Sequence, residues 1–115
     1  MGTEKESSRT EIPPGTLYML VLKSLARLGP MHGYGIAQHI QQTSDEVLQV
    51  EEGSLYPALQ RMLIKEWVAA EWKQSDSNRR ARYYRLTPEG RKQLSREVKE
   101  FERVMAAIVR VIRPA

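Results

Sequence analysis

The stretch GSLYPALQRM, residues 53–62, combines the spacing of an amphipathic helix with a proline. Its apolar side chains recur at intervals of four and three residues, at Leu55, Leu59 and Met62. Proline is tolerated in the first turn of a helix, where its missing N–H has no partner within the helix. With Ser54 as the N-cap, Pro57 is the third helical residue. The pattern therefore predicts a helix that begins at Gly53 or Ser54 and ends near Lys65.

The outward side of this predicted helix carries polar side chains that suit DNA. Ser54 and Tyr56 suit contacts to phosphates or bases, Gln60 can pair with adenine, and Arg61 can pair with guanine. Lys65 adds a positive charge at the far end. For Gln60 and Arg61 the alternative is an ordinary solvated helix surface.

Composition is that of a globular domain without redox or export features. The chain has 115 residues, 41% hydrophobic and 28% charged, with a net charge of +4 and no cysteine. One domain, without disulfides, is expected. The longest uncharged apolar run, 17–22, is far too short to cross a membrane. The polar start has no apolar signal segment, so residues 1–11 are expected to be a disordered leader and the protein cytoplasmic.

No pattern in the chain indicates catalysis, a metal or a cofactor. His32 and His39 have no paired cysteine or carboxylate at ligand spacing, and no serine has a recognisable histidine base. We expect no enzymatic activity.

Positive charge is concentrated in one segment. Residues 73–92 hold seven basic residues and two acidic ones, whereas residues 44–52 hold four acidic residues and no basic one. A local arginine excess is typical of a surface that binds polyanions, although a solvated basic surface has the same composition.

The remaining elements complete a mostly α fold with a small β-hairpin. A first helix is predicted from a Thr16 N-cap to Leu28, and a second from Gly33 to Gln42. Residues 68–74 and 81–86 alternate as strands do, around the polar turn SDSN. The tip and the return strand carry three arginines: Arg79, Arg80 and Arg82. Three helices followed by a basic hairpin predict a winged helix-turn-helix over residues 12–87, with the helix of residues 53–65 in the DNA major groove.

Glycines in GPMHGYG, residues 29–35, are explained as the turn between the first two helices. The segment lacks the lysine and hydroxyl residue of a nucleotide-binding loop. At the start of the second helix the N–H groups of Gly33 and Tyr34 are candidates to meet a DNA phosphate. Tyr34 suits a core position equally well.

The last helix, capped by Thr87 with Pro88 at its first position, carries a heptad pattern. Its apolar residues are spaced 4, 3, 4, 3 and 4 apart, at Leu94, Val98, Phe101, Met105, Ile108 and Ile112. The seam either packs on its own domain or meets a second copy. We favour the second, with residues 88–115 as a dimerisation helix. A two-fold dimer would place two reading helices about 34 Å apart on a pseudo-palindromic operator.

Three segments in this order, GPMHGYGIAQHI, VEEGSLYPALQRM and RRARYYRLTPEGRKQL, resemble the PadR family of bacterial transcriptional regulators. The resemblance covers nearly all of Gly15 to Leu94, and the single C-terminal helix is similar to the short subtype. It implies a dimeric winged helix, usually a repressor, whose third helix and wing hold operator DNA. It also implies a small-molecule effector in some members, for which Phe101 is a candidate lining residue or simply a packing residue.

Two features depart from that family pattern. Glu66 stands where glycine is common after the third helix, so that helix is expected to end differently. Leu63 and Ile64 stand where polar residues are common, and the sequence offers no physical reason for Ile64. The alternative is a winged helix in which Leu63, Ile64 and the last helix bind another protein and not DNA.

Overall fold

The structure is a computed structural model and describes residues 10–12, 15–74 and 76–113. In chain order its elements are β1 (Thr10–Glu11), α1 (Leu17–Leu28), β2 (Met31–His32), α2 (Gly33–Thr43), β3 (Leu48–Gln49), α3 (Glu52–Ile64), β4 (Val68–Gln74), β5 (Arg80–Leu86) and α4 (Pro88–Ile112). The predicted class, mostly α with a small β-hairpin in a winged helix-turn-helix, is confirmed.

One apolar core joins α1, α2 and α3, because each helix presents apolar residues at helical spacing. The largest side chains that are fully buried in this core are Val21, Leu22, Leu25, Ile36, Leu55, Leu59 and Met62. Burial of each such side chain contributes about 1.5–3 kcal/mol. The core therefore fixes α3 by its inner side and leaves its outer side available.

The start of α3 differs from the prediction. The helix begins at Glu52, with Glu51 as an extended N-cap, so Ser54 is not the cap and Pro57 lies in the second turn. A proline there has no N–H for the carbonyl of Gly53. Because Gly53 is exposed, water can bond that carbonyl, which makes the proline less costly than in a buried helix.

The end of α3 is a Schellman motif. The N–H of Trp67 donates to the carbonyl of Met62 at 3.0 Å, and the N–H of Glu66 donates to the carbonyl of Leu63 at 3.0 Å. Glu66 takes a φ of 62°, the left-handed conformation that glycine adopts most readily. The helix thus ends as glycine-terminated helices do, and the expectation of a different end is wrong.

Three antiparallel strands form the sheet, in the order β2-β5-β4. Val68 pairs with Leu86 and Trp72 with Arg82, so the predicted hairpin is present with its tip near the predicted turn. The prediction missed β2, because two residues carry no recognisable strand pattern. The wing, which we define as residues 68–86, extends beyond the core at its tip.

A second, very short sheet corrects the predicted leader. Thr10 and Glu11 pair in parallel with Leu48 and Gln49. The prediction of disorder over residues 1–11 is therefore wrong for these two residues, and residues 1–9 lie outside the described part of the chain.

The first half of α4 belongs to the core of its own chain. Thr87 caps it as predicted, with its Oγ1 accepting from the N–H of Gly90 at 3.0 Å. Leu94 is buried in the core, and Val98 packs against that core. Both were predicted in the dimer seam. Leu94 is taken up by the core of its own chain, so its place in a dimer contact is corrected. Val98 is only partly buried, and its dimer contact stays a prediction.

A joint connects the end of α3 to the start of α4. The N–H of Thr87 donates to the carbonyl of Trp67 at 3.1 Å, and its hydroxyl lies 2.6 and 2.9 Å from the carbonyls of Glu66 and Trp67. A Cβ at Gly90 would come within 2.0 Å of the Trp67 carbonyl oxygen. Only glycine permits this close approach.

Candidate nucleic-acid interface

The outer side of α3 is an uninterrupted exposed surface. Its exposed residues are Glu52, Gly53, Ser54, Tyr56, Pro57, Gln60, Arg61 and Ile64, followed by Lys65 just after the helix. Ile64, at 81%, is more exposed than any other large apolar side chain of the described residues. All the α3 residues predicted to contact DNA are thus accessible, and the contacts themselves stay predictions.

Tyr56 connects α3 to the start of α2. A Cβ built on Gly33 would lie 2.7 Å from Cε1 of the Tyr56 ring, so the ring rests directly on that glycine. Gly33 is buried beneath the ring. Contact of its N–H with a DNA phosphate stays a prediction. Partial burial, and then the negative charge of Glu52, raise the pKa of the Tyr56 phenol. At neutral pH the phenol is therefore a hydrogen-bond donor, which suits a phosphate oxygen.

The start of α2 is held by His32. Its Nδ1 accepts from the N–H of Gly35 at 3.0 Å, which makes His32 the N-cap. The His32 ring also packs edge-on against Tyr83, with ring centroids 5.3 Å apart. Tyr34 is 62% exposed, which resolves the alternative in favour of a surface position.

Arginine and aromatic side chains alternate on the wing. The Cζ of Arg80 lies 5.5 Å from the ring centroid of Trp72, and that of Arg82 lies 5.9 Å from the centroid of Tyr84. Stacking of this kind orders a guanidinium while it keeps the charge accessible. The Nε of Arg82 is buried and has no hydrogen-bond partner among the described residues.

These residues converge on one groove of about 740 Å³. This wing groove is lined by His32, Gly33, Tyr34, Tyr56, Trp72, Asp76, Ser77, Arg79, Arg80, Ala81, Arg82 and Tyr84. It brings the predicted Tyr34 and Tyr56 together with the three wing arginines. The sequence-based prediction did not include Trp72. Its position on β4, past the buried start of that strand, could have indicated an exposed site residue.

A second groove of about 600 Å³ follows the other edge of α3 and is lined in part by Ser54, Pro57 and Arg61. There the Nε of Arg61 donates a hydrogen bond to the hydroxyl of Tyr18 on α1. No sequence pattern indicated this pair, because 43 residues separate its members. Lys65 is also engaged, with its Nζ 5.3 Å from the ring centroid of Trp67. Gln60 lines neither groove.

The second half of α4 exposes an apolar surface. We call this surface the seam, and its large side chains are Phe101, Val104, Met105, Ile108, Val109, Val111 and Ile112. Four of them, Phe101, Met105, Ile108 and Ile112, are residues that the heptad predicted. Apolar surface of this extent is typical of a protein–protein contact.

Two further features of the described residues concern metal binding and membrane spanning. No group of three His, Cys, Asp or Glu side chains is arranged there to hold a metal ion. None of the helices in that part of the chain is long and apolar enough to cross a membrane.

Comparison with known proteins agrees with this geometry. Residues 21–96 match the sequence model of the transcriptional regulator PadR-like family. A protein of Lysinibacillus sphaericus, known only as uncharacterized protein X, is 31% identical over 100 residues, which are 87% of this chain and 91% of that protein.

Solved structures match over most of the chain. A transcriptional regulator from Clostridium thermocellum superposes with a TM-score of 0.78 at 27% identity, covering 86% of this chain and 95% of that one. A PadR family transcriptional regulator from Eggerthella lenta superposes with a TM-score of 0.74 at 27% identity, covering 88% and 85% respectively.

Proposed function

The chain belongs to the PadR-like family of transcriptional regulators, and on that premise we propose that it is a sequence-specific DNA-binding repressor. It acts in the cytoplasm as a homodimer on a pseudo-palindromic operator. α3 enters the major groove and the wing holds the adjoining backbone.

The wing groove is the observation that carries this proposal. It places Arg79, Arg80 and Arg82 beside the exposed phenols of Tyr34 and Tyr56. Guanidinium and phenol donors are the groups that proteins use to bind DNA phosphates.

Base contacts come from the outer side of α3. Gln60 and Arg61 are exposed there, and both side chains pair bidentately with purines in the major groove. The seam supplies the dimer contact, and Phe101 is assigned to that contact and not to an effector.

The experiment is a titration of labelled duplexes at several salt concentrations. A duplex from the protein's own promoter should bind at least about a thousandfold more tightly than random DNA. Affinity should also fall steeply as salt rises. Binding that is indifferent to salt would refute the proposal.

Two matched variants distinguish the contribution of the wing charge to DNA affinity from that of positive charge elsewhere on the protein. Arg79→Ala and Arg103→Ala each remove one positive charge, but Arg103 lies on α4 and pairs with Glu100. Arg79→Ala should weaken all duplexes alike and lower the salt slope by about one per lost contact. Arg103→Ala should leave the slope unchanged. Gln60→Ala should alter base preference instead.

The exposure of Ile64 favours a second candidate, a winged helix that binds another protein. That hypothesis also uses Leu63, which packs against the core and offers little surface, and the last helix, whose second half is exposed. This candidate predicts no DNA affinity at moderate salt and co-purification with a heterologous partner.

A further inference from the structure

Arg61 is held in place by a residue of a different helix. Its Nε donates to the hydroxyl of Tyr18, and its Cζ lies 5.6 Å from the centroid of the same ring. Both contacts join α3 to the first turn of α1 across 43 residues of sequence. An exposed arginine without such contacts samples many rotamers.

Tyr18 is itself fixed by its surroundings. It is partly buried, and its ring meets Trp67 edge-on with centroids 5.7 Å apart and an interplanar angle of 77°. The hydroxyl is therefore a stationary acceptor. It does not follow the motion of the arginine, so the hydrogen bond limits where the guanidinium lies.

The choice of nitrogen decides what the guanidinium can still do. Of the N–H donors of the Arg61 guanidinium, only the Nε–H is bonded to Tyr18. The two Nη groups stay outside this hydrogen bond and form the end-on fork that matches the O6 and N7 of guanine. Tyr18 thus occupies the side of the guanidinium that end-on recognition does not need.

We propose that Tyr18 is a positioning residue that presents Arg61 to a guanine in each half-site. It touches no DNA in this role. The inference rests on the proposed function, since it assigns the base that one residue of α3 reads. Because the fork is formed before DNA arrives, less side-chain freedom is lost on binding.

The free protein provides the first test. The ¹⁵Nε–¹Hε resonance of Arg61 should be sharp and slow to exchange in wild type, and it should broaden in Tyr18→Phe, which keeps the ring and loses the acceptor. A wild-type resonance that behaves like those of free exposed arginines would overturn the inference, whether or not the variant folds.

The second test replaces operator guanines one at a time by 7-deazaguanine, which lacks the N7 acceptor. At one position in each half-site, wild type should lose about tenfold in affinity. Tyr18→Phe should bind the normal operator about tenfold more weakly and respond less than about twofold to that same replacement. Arg61→Ala should behave like Tyr18→Phe.

A matched control is Tyr83→Phe, which removes a tyrosine hydroxyl from the wing and leaves the Arg61 contact intact. It should keep the full response to 7-deazaguanine. If Tyr18→Phe also keeps that response, the inference is wrong while the proposed function stands. If wild type prefers no sequence at all, the proposed function fails, and with it the role of Tyr18 in guanine recognition.

Discussion

Glu66 takes a backbone conformation that is unfavourable for any residue with a Cβ atom. Its φ of 62° places Cβ against the backbone, which costs about 1 kcal/mol for a residue with a side chain. The two hydrogen bonds of the Schellman motif fix this geometry, so the cost is part of the folded state.

We therefore expect Glu66→Gly to raise the free energy of unfolding by about 1 kcal/mol. Urea unfolding followed by circular dichroism at a fixed protein concentration measures this. Glu66→Ala keeps Cβ and removes the charge, so it should stay within about 0.5 kcal/mol of wild type. An equal gain in both variants would assign the effect to the carboxylate.

Because Gly33 contacts the Tyr56 ring, we expect Gly33→Ala to lower DNA affinity more than it lowers the free energy of unfolding. In Gly33→Ala the new methyl group would displace the ring, and the ring can turn away because Tyr56 is 42% exposed. We expect DNA affinity to fall about tenfold, because the Tyr56 phenol, an uncharged hydrogen-bond donor to phosphate, moves out of the groove. The free energy of unfolding should change by less than about 1 kcal/mol.

The Tyr56→Ala background tests that explanation. There Gly33→Ala should have no further effect on affinity, because no ring remains to be displaced. Additive losses would contradict the mechanism. Gly53→Ala, whose Cβ meets no atom within 4 Å, is the control for a methyl group on this surface.

At the scale of elements, patterns predict what an element buries but not what it is buried against. The helices and the hairpin follow from apolar periodicity, because each needs one buried side. The heptad of α4 does not distinguish Leu94, which packs in its own core, from Met105, which is exposed. Likewise Tyr18 and Arg61 meet only after α1 and α3 pack, so no local pattern in the sequence predicts the pair.

This division of α4 predicts opposite outcomes for two substitutions. Met105→Asp should abolish the dimer and leave the fold intact, because a charge in an apolar contact opposes association. Leu94→Ala should keep the dimer and lower the free energy of unfolding by about 2–4 kcal/mol, because it leaves a cavity in the core.

Sedimentation and thermal unfolding of both variants measure these effects side by side. A wild-type monomer at micromolar concentration would contradict the proposed dimer. Unfolding of Met105→Asp would show that the seam belongs to the core of the single chain.

For the whole molecule, the outer side of α3 and the wing groove form one continuous surface, because Tyr56 belongs to both. The seam lies on the part of α4 that leaves this core. The proposed dimer therefore presents two such surfaces with a fixed spacing.

Spacing gives a prediction for the operator. Inserting five base pairs between half-sites should reduce wild-type affinity by about a hundredfold or more, because half a helical turn places the second site on the opposite side of the duplex. Met105→Asp, with one reading helix per molecule, should bind both operators equally. Filter binding or anisotropy measures this, and equal affinity of wild type for both duplexes would contradict two-fold recognition.

The contacts of Thr87 and Gly90 with Trp67 couple any tilt of α4 to the end of α3. The 25 residues of α4 span about 37 Å, and its N-terminal end is fixed to the C-terminal end of α3. In the proposed pair, a tilt of about ten degrees moves the end of a helix of that length by about 6 Å, roughly two base-pair steps. A molecule that binds between the far ends of the two α4 helices would therefore change the distance between the two DNA-binding surfaces without touching either of them.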